Sequence, residues 1–302
     1  MEIEMKDVVI TKADLDEGNF YRASENLDTL GSIKIDGGLG TVRFRGSVKA
    51  SMSISAEAGT GIEAGGEIKA GWGIKAGRGI EAGGGIDAGT GIEAATWIEA
   101  GCGIEAGWGI KAGTRIEAGE EIKASRGIEA GGWIKAGRGI QAGGGIDAGR
   151  GIKAGRGIHA GGGIQAGAGI EAGWGIQAGW GIKAGTGIEA GGGIQAGRGI
   201  QAGWGIKAGT RIEAGTDIEA ACAIHAGGGI HAGEEIKAGL EISAKETISA
   251  KNRILAGICS WRNLSPEEMT ITAQRVEGEV GCGTVKLLGT DPASPTEKGK
   301  EI

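Results

Sequence analysis

The segment GWGIKAGTRIEAG occupies residues 107–119 and returns unchanged at residues 203–215, and a near copy, GWGIKAGTGIEAG, lies at residues 179–191. Each copy contains a shorter unit, I-x-A-G-x-G, that repeats every six residues. From Ile62 to Ile254 all 33 positions in this six-residue step are Ile, and the residue two positions later is always Ala. Because the apolar face of an α-helix recurs every 3.6 residues, a strict period of six excludes a helix.

The triplet Ile-x-Ala has the two-residue alternation of a β-strand, with apolar side chains on one side and a polar side chain on the other. Glycine is then expected to supply the backbone freedom for a corner. Short strands separated by regular corners predict an all-β fold, a single-stranded β-solenoid of hexapeptide repeats, in which stacked coils bury the isoleucine that one unit alone cannot bury. The alternative is a Gly-rich disordered segment, but disorder would not keep Ile and Ala in step over 33 units.

Two coil geometries are compatible with this unit. Three units per turn give a triangular 18-residue coil, and two units give a flat 12-residue coil. Three Ile and three Ala per layer fill a small prism, which favours the triangular coil. The copied segments, however, lie 96, 72 and 24 residues apart, all multiples of 12. We interpret a pair of units as the element of duplication and predict the triangular coil, with the flat coil as the alternative.

The sequence on either side of residues 62–256 departs from the regular repeat. Residues 1–31 predict an N-terminal cap, and residues 32–61 predict irregular first coils of the solenoid. Residues 257–290 predict a C-terminal cap that contains a short helix beginning at Ser265-Pro266, and residues 291–302 predict a flexible tail. Caps at both ends would cover strand edges that otherwise recruit other chains.

The segment GTVRFRGSVKASMSISAEAGTGIEAGGEIKAG, residues 40–71, resembles the rhythm of bactofilins, the bacterial polymer-forming β-helix proteins. The wider array, residues 40–256, resembles Gly-rich GIEAGW hexapeptide-repeat proteins of bacteria and phages. The bactofilin resemblance implies a right-handed triangular solenoid without enzyme activity. The length of the array, its uniform Ile/Ala core and its long terminal segments depart from bactofilins and argue against their end-to-end polymerisation.

Charge and composition exclude several classes of function. The formal net charge is −6, but residues 61–256 carry 21 acidic and 20 basic residues, so the array is nearly neutral. The absence of a basic stripe predicts that the chain does not bind nucleic acid. No apolar run approaches the length of a membrane span, and the N-terminus lacks the pattern of a secretory signal. We therefore predict a cytoplasmic protein with free thiols at Cys102, Cys222, Cys259 and Cys282.

Tryptophan is unusually frequent for an aromatic residue in this chain, which has eight Trp and only one Tyr. Exposed aromatic side chains can bind a partner protein or stack on sugar rings. Trp72, Trp108 and Trp180 share one edge in either coil geometry. The alternative is that these large side chains only shield Gly-rich corners. The candidate partner-binding residues are Trp72, Trp108, Trp174, Trp180, Trp204 and Trp261.

The outward histidines do not predict a metal site. His159, His225 and His231 fall between Ile and Ala, and His225 and His231 lie on successive faces. The array resembles the hexapeptide acyltransferases in the length of its repeat. It differs from them because no insertion between Ile62 and Ala256 provides a cofactor site. A polysaccharide-active enzyme would need clustered carboxylates in a groove. We therefore predict no catalytic residue, no cofactor and no metal.

Three functions follow, in order of preference. The first is a non-enzymatic, rod-like scaffold or protein-interaction protein that binds a partner protein or a second copy of itself through its caps and Trp-bearing edges. The second is a phage or mobile-element protein that binds and inhibits a host factor. The third is a β-helix enzyme, either an acyltransferase or a polysaccharide-active protein.

Overall fold

The computed structural model describes residues 6–289, and in it each hexad forms one short strand and one corner. Each strand pairs in parallel with the strands three hexads before and after it, so that Ile80 lies beside Ile62 and Ile98. One coil therefore contains three strands on three faces. The predicted triangular β-solenoid is confirmed, and the flat 12-residue coil is wrong.

Each face is a stack of parallel strands, which we name after its first regular isoleucine. The Ile62 face consists of Gly40–Phe44, Thr60–Ala64, Ile80–Ala82, Trp97–Ala100, Arg115–Ala118, Ile134–Ala136, Ile152–Ala154, Ile170–Ala172, Ile188–Ala190, Ile206–Ala208, Ile224–Ala226, Ile242–Ala244, Thr270–Ala273 and Thr284–Leu287. The Ile68 face consists of Leu27–Thr29, Val48–Ala50, Ile68–Ala70, Ile86–Ala88, Ile104–Ala106, Ile122–Ala124, Ile140–Ala142, Ile158–Ala160, Ile176–Ala178, Ile194–Ala196, Ile212–Ala214 and Ile230–Ala232.

The Ile74 face completes the triangle. It consists of Val8–Ile10, Ile33–Ile35, Ile54–Ala56, Ile74–Ala76, Ile92–Ala94, Ile110–Ala112, Ile128–Ala130, Ile146–Ala148, Ile164–Ala166, Ile182–Ala184, Ile200–Ala202, Ile218–Ala220 and Ile236–Ala238. Two longer strands, Thr247–Leu255 and Arg275–Cys282, continue round a corner and extend both the Ile68 and the Ile74 faces.

The core is a column of identical layers. Every Ile from Ile62 to Ile254 is at most 1% exposed, and the Ala two residues later is at most 8% exposed. In-register pairing places Ile beside Ile and Ala beside Ala on neighbouring coils. Each buried Ile contributes about 1.5–3 kcal/mol of transfer free energy, but only where the adjacent coils cover it. Stability therefore depends on stacking between neighbouring coils.

Glycine is needed at the corners because a side chain would clash with the backbone of the neighbouring coil. This corrects the expectation that glycine supplies conformational freedom there. The glycines with left-handed φ, such as Gly38 and Gly59, lie outside the regular array, which the structure describes throughout. A Cβ at Gly107 would lie 2.0 Å from the carbonyl oxygen of Gly89 on the preceding coil. A Cβ at Gly91, the last corner position of its hexad, would lie 3.4 Å from the nearest carbonyl oxygen. The first corner position therefore needs a small residue, whereas the last has room for a side chain.

At the N-terminal end the chain closes the core with residues outside the regular repeat. Strand Val8–Ile10 pairs with Ile33–Ile35, and a 3₁₀ helix at Lys12–Asp14 follows. Leu15 is 3% exposed, and the Tyr21 ring lies 5.6 Å from that of Phe44. These side chains cover the first complete layer.

The C-terminal end contains the short helix that the sequence predicts. A 3₁₀ helix spans Pro266–Met269, and Glu268 accepts a hydrogen bond from the Ser265 backbone N–H at 3.0 Å. The Arg262 guanidinium and this N–H lower the pKa of Glu268 to about 2. The last coil then leaves Leu287 62% exposed. Residues 290–302, which include the predicted flexible tail, lie outside the described residues.

Candidate functional site

The 18-residue coil aligns three tryptophans on the corner between the Ile68 and Ile74 faces. We call the middle residues of this corner between positions 72 and 198 the Trp edge, and they are Trp72, Thr90, Trp108, Arg126, Gly144, Gly162, Trp180 and Arg198. The side chains of Trp72, Trp108 and Trp180 are 57%, 56% and 60% exposed. The expectation that these three share an edge agrees with the structure.

The backbone beneath the Trp edge is held by hydrogen bonds between coils. The Trp108 N–H donates to the Thr90 carbonyl oxygen at 2.9 Å, and the Arg126 N–H donates to that of Trp108 at 2.7 Å. The Arg126 guanidinium lies 4.8 Å from the Trp108 ring centroid, and that of Arg198 lies 4.9 Å from the Trp180 centroid. Such cation–π contacts contribute about 0.5–1 kcal/mol at exposed sites and help to fix the ring orientation.

The other three candidate tryptophans lie apart from the Trp edge. Trp174 is on the corner between the Ile62 and Ile68 faces, and Trp204 is on the corner between the Ile74 and Ile62 faces. Trp261 lies in the C-terminal segment, near Gly239. All three are at least 60% exposed, yet the fold does not bring them together.

Two further tryptophans have the shielding role that was the alternative. Trp97 and Trp133 occupy the last position of a corner on the Ile62 face, where their rings cover Gly79 and Gly151. A Cβ at Gly79 would lie 2.3 Å from the Trp97 ring, and one at Gly151 would lie 2.1 Å from the Trp133 ring. Here tryptophan packs on a bare backbone of the neighbouring coil.

A long trough runs beside the Trp edge, and sequence reasoning missed it. Its floor is formed by the last corner glycine and the following isoleucine of each coil, with a cavity volume of about 1210 Å³. We call it the glycine trough. Its glycines occupy eight successive coils and are Gly73, Gly91, Gly109, Gly127, Gly145, Gly163, Gly181 and Gly199. Ser53 lies at one end of the trough and Asp217 at the other.

The equivalent positions on the other two faces are interrupted by side chains. On the Ile68 face Glu121 and Arg211 limit the longest glycine run to four coils. On the Ile62 face Trp133 and Ala223 limit it to four coils as well. The corresponding cavities are smaller, about 810 and 450 Å³. The extended trough is therefore a property of the Ile74 face.

The outward residues of the Ile74 face form a row that lines the glycine trough. Lys75 pairs with Glu93 at 3.4 Å, and Lys111 pairs with Glu129 at 3.0 Å, each pair joining neighbouring coils. Further along the row the residues are Asp147, Gln165, Lys183, Gln201 and Glu219. The row thus presents ammonium, carboxylate and amide groups in nearly balanced numbers.

Four glutamates stack on the Ile62 face, and three of them have a basic partner. Glu63 lies 2.9 Å from Arg43, Glu99 pairs with Arg115, and Glu117 pairs with a lysine. Partial burial, together with the carboxylates of Glu63 and Glu99, raises the pKa of Glu81. This row is an ion-pair ladder with one destabilised carboxylate.

Histidine and acidic side chains do not converge on a metal site in the part of the chain that the structure describes. The His159 Nδ1 lies 3.2 Å from Gln177 Oε1, and the His225 Nδ1 lies 2.6 Å from Ser243 Oγ. Within residues 6–289 no helix has the length and apolar character needed to cross a membrane.

Comparison with known proteins gives no match to a family model, a curated protein or a solved structure. The β-solenoid is established by its strand pairing, whereas the resemblance to bactofilins and to GIEAGW repeat proteins stays a prediction from residues 40–256.

Proposed function

We propose that this chain is a non-enzymatic, rod-like scaffold that uses the Trp edge as its recognition surface. The observation that carries the proposal is the alignment of three exposed tryptophans on one rigid edge. Trp72 and Trp108 lie two coils apart, about 10 Å, and Trp180 lies four coils further, about 19 Å. Because the backbone is already ordered by the corner hydrogen bonds, binding at this edge costs little conformational entropy.

Several features support a binding role over catalysis. The outward polar residues are engaged with each other between coils, as in Lys69 with Asp87 at 2.7 Å and Lys153 with Glu171 at 2.8 Å. The resemblance to bactofilins also favours a protein without enzyme activity. A cytoplasmic location, a partner protein and self-association at the caps follow from the sequence and belong to the same proposal. The host-factor inhibitor is a special case of it, in which the partner comes from another organism.

The test is affinity capture with the full chain, followed by identification of the bound molecule. A variant with Trp72, Trp108 and Trp180 replaced by Ala should lose the captured partner by at least tenfold while keeping its circular dichroism spectrum. The matched control replaces Trp174, Trp204 and Trp261, which are at least as exposed but lie elsewhere. Equal loss of binding in both variants, or in neither, would remove the Trp edge from the proposal.

A further inference from the structure

The two ends of the core column differ in how well they are covered. At the N-terminal end the inward residues Ile10 and Leu27 are buried, so the first layer of the core is closed. At the C-terminal end Val285 and Leu287 pair in register with two buried core residues of the preceding coil, and they therefore occupy core positions themselves. Yet Val285 is 40% exposed and Leu287 is more exposed still. The last layer of the core is open.

The open layer is framed by strand edges without a partner. Among residues 6–289, Arg275–Cys282 pairs only with Thr247–Leu255, and Thr284–Leu287 pairs only with Thr270–Ala273. The first of these terminal strands extends both the Ile68 and the Ile74 faces, and the second extends the Ile62 face, so each face of the triangle ends in a free edge. A free strand edge is a template for pairing with another chain. The C-terminal end thus combines a triangular rim of unpaired backbone with an apolar centre.

The shape of this end matches the same end of a second copy. One extended peptide would pair with a single side of the rim and leave the apolar centre in water, whereas another open triangular coil covers all three sides and the centre together. The N-terminal end of another copy has no open layer, because Leu15 and Tyr21 already cover its core. The match is therefore C-terminal end to C-terminal end, which is a two-fold symmetric contact. Since the two-fold axis reverses the sense in which the chain winds, the strands that meet run antiparallel and can exchange hydrogen bonds.

The charges of the last coil are compatible with contact between two identical ends. Residues 274–289 carry two basic and two acidic side chains, which are Arg275, Lys286, Glu277 and Glu279. Arg275 pairs with Glu277 of its own chain at 2.8 Å, and the coil has no net charge to repel a second copy. Residues 290–302 match the apolar layer poorly, because they include two prolines, which cannot donate a backbone hydrogen bond, and one large apolar side chain, Ile302. Charge and composition therefore favour a second copy over this segment as the occupant.

From these features we infer that two copies of the chain associate through their C-terminal ends into a closed dimer. The Ile62 face of one copy has 14 strands, which at a spacing of about 4.8 Å span about 62 Å. The dimer is then a rod of about 130 Å with a Trp edge on each half, so it presents two recognition surfaces to a partner. Assembly stops at two copies because the closed N-terminal ends offer no further open layer. The inference rests on the proposed function, which includes self-association at the caps, and it names the end and the partner.

The experiment measures the mass and the length of the full chain in solution. Sedimentation equilibrium should show a monomer–dimer equilibrium, and small-angle X-ray scattering should give the dimer a maximum dimension of about 130 Å. Replacing Val285 and Leu287 by Glu should raise the dissociation constant of the dimer at least tenfold, because it places unpaired carboxylates in the apolar contact. The matched control replaces Val9 and Leu30, which are exposed apolar residues at the N-terminal end, by Glu and should leave the dimer unchanged. Circular dichroism checks that both variants keep the fold, and the length of the unmodified dimer tests the inference without any variant.

Three results would overturn the inference. A monomer at every concentration would mean that something else, such as residues 290–302, covers the open layer. Assemblies longer than a dimer would require the N-terminal end, and a dimer of about 62 Å would require contact along the sides of the rods.

Replacement of Trp72, Trp108 and Trp180 by Ala separates this inference from the proposed function. The dimer should persist in that variant, whereas capture of a partner should be lost. Capture by a chain that stays monomeric removes the C-terminal contact and leaves the Trp edge. A dimer of about 130 Å that captures nothing removes the Trp edge and leaves the C-terminal contact.

Discussion

Replacement of Ile152 by Ala tests how the stacked core stabilises the rod. Ile152 is 1% exposed and lies in register between Ile134 and Ile170. The change removes three carbon atoms, which corresponds to about 2.4 kcal/mol of transfer free energy at about 0.8 kcal/mol per methylene. The neighbouring coils cannot collapse into the space, because the Ile134 and Ile152 N–H groups each bond to the next coil at 3.0 Å. With the cavity term, the free energy of unfolding should fall by about 3–5 kcal/mol.

The assay is urea unfolding combined with hydrogen exchange, because a repeat array can unfold locally. Protection should fall most in the coils next to residue 152 and least near the N-terminal end. The control is Lys153→Ala, which removes the adjacent outward side chain and its exposed ion pair with Glu171 and should cost less than about 1 kcal/mol. Equal effects of the two substitutions would refute the assignment of Ile to the inside.

Two further predictions, each with a control substitution, separate electrostatic from steric effects. Because the pKa of Glu81 is raised, its ionisation opposes folding above the ordinary carboxyl pKa. Glu81→Gln should therefore raise the melting temperature at pH 7 but not at pH 3. Glu117→Gln, which removes a partner of Lys135 at 2.7 Å, should not raise it, and a gain in both variants at pH 7 would contradict the argument. Gly89→Val should destabilise the chain by about 1–3 kcal/mol more than Gly91→Val, because a Cβ would lie 2.0 Å from a carbonyl oxygen at Gly89 but 3.4 Å from one at Gly91. Chemical denaturation measures this difference, and similar costs would show that the corner spacing is not limiting.

The strands and the core follow from the sequence because Ile and Ala repeat without exception, and the volume of three Ile and three Ala favoured the triangular coil. The 12-residue spacing of the copied segments favoured the flat coil instead, because this spacing reflects how the repeats were duplicated and not how a layer packs. The glycine trough was missed for a related reason. Gly73 and Gly91 look like ordinary corner residues until the chain is read in steps of three hexads, where eight glycines align. The role of Gly107 also depended on a contact between coils, which single units do not reveal.

The distance between residues 72 and 180 tests the coil geometry on which the Trp edge and the trough both depend. Spin labels at Trp72→Cys and Trp180→Cys, in a chain whose four native cysteines are replaced by Ser, report this distance by pulsed electron paramagnetic resonance. Six triangular coils separate the two positions, so the distance should be about 29 Å with a narrow distribution. A distance near 43 Å, as about nine flat coils would give, or a broad distribution, would contradict the account.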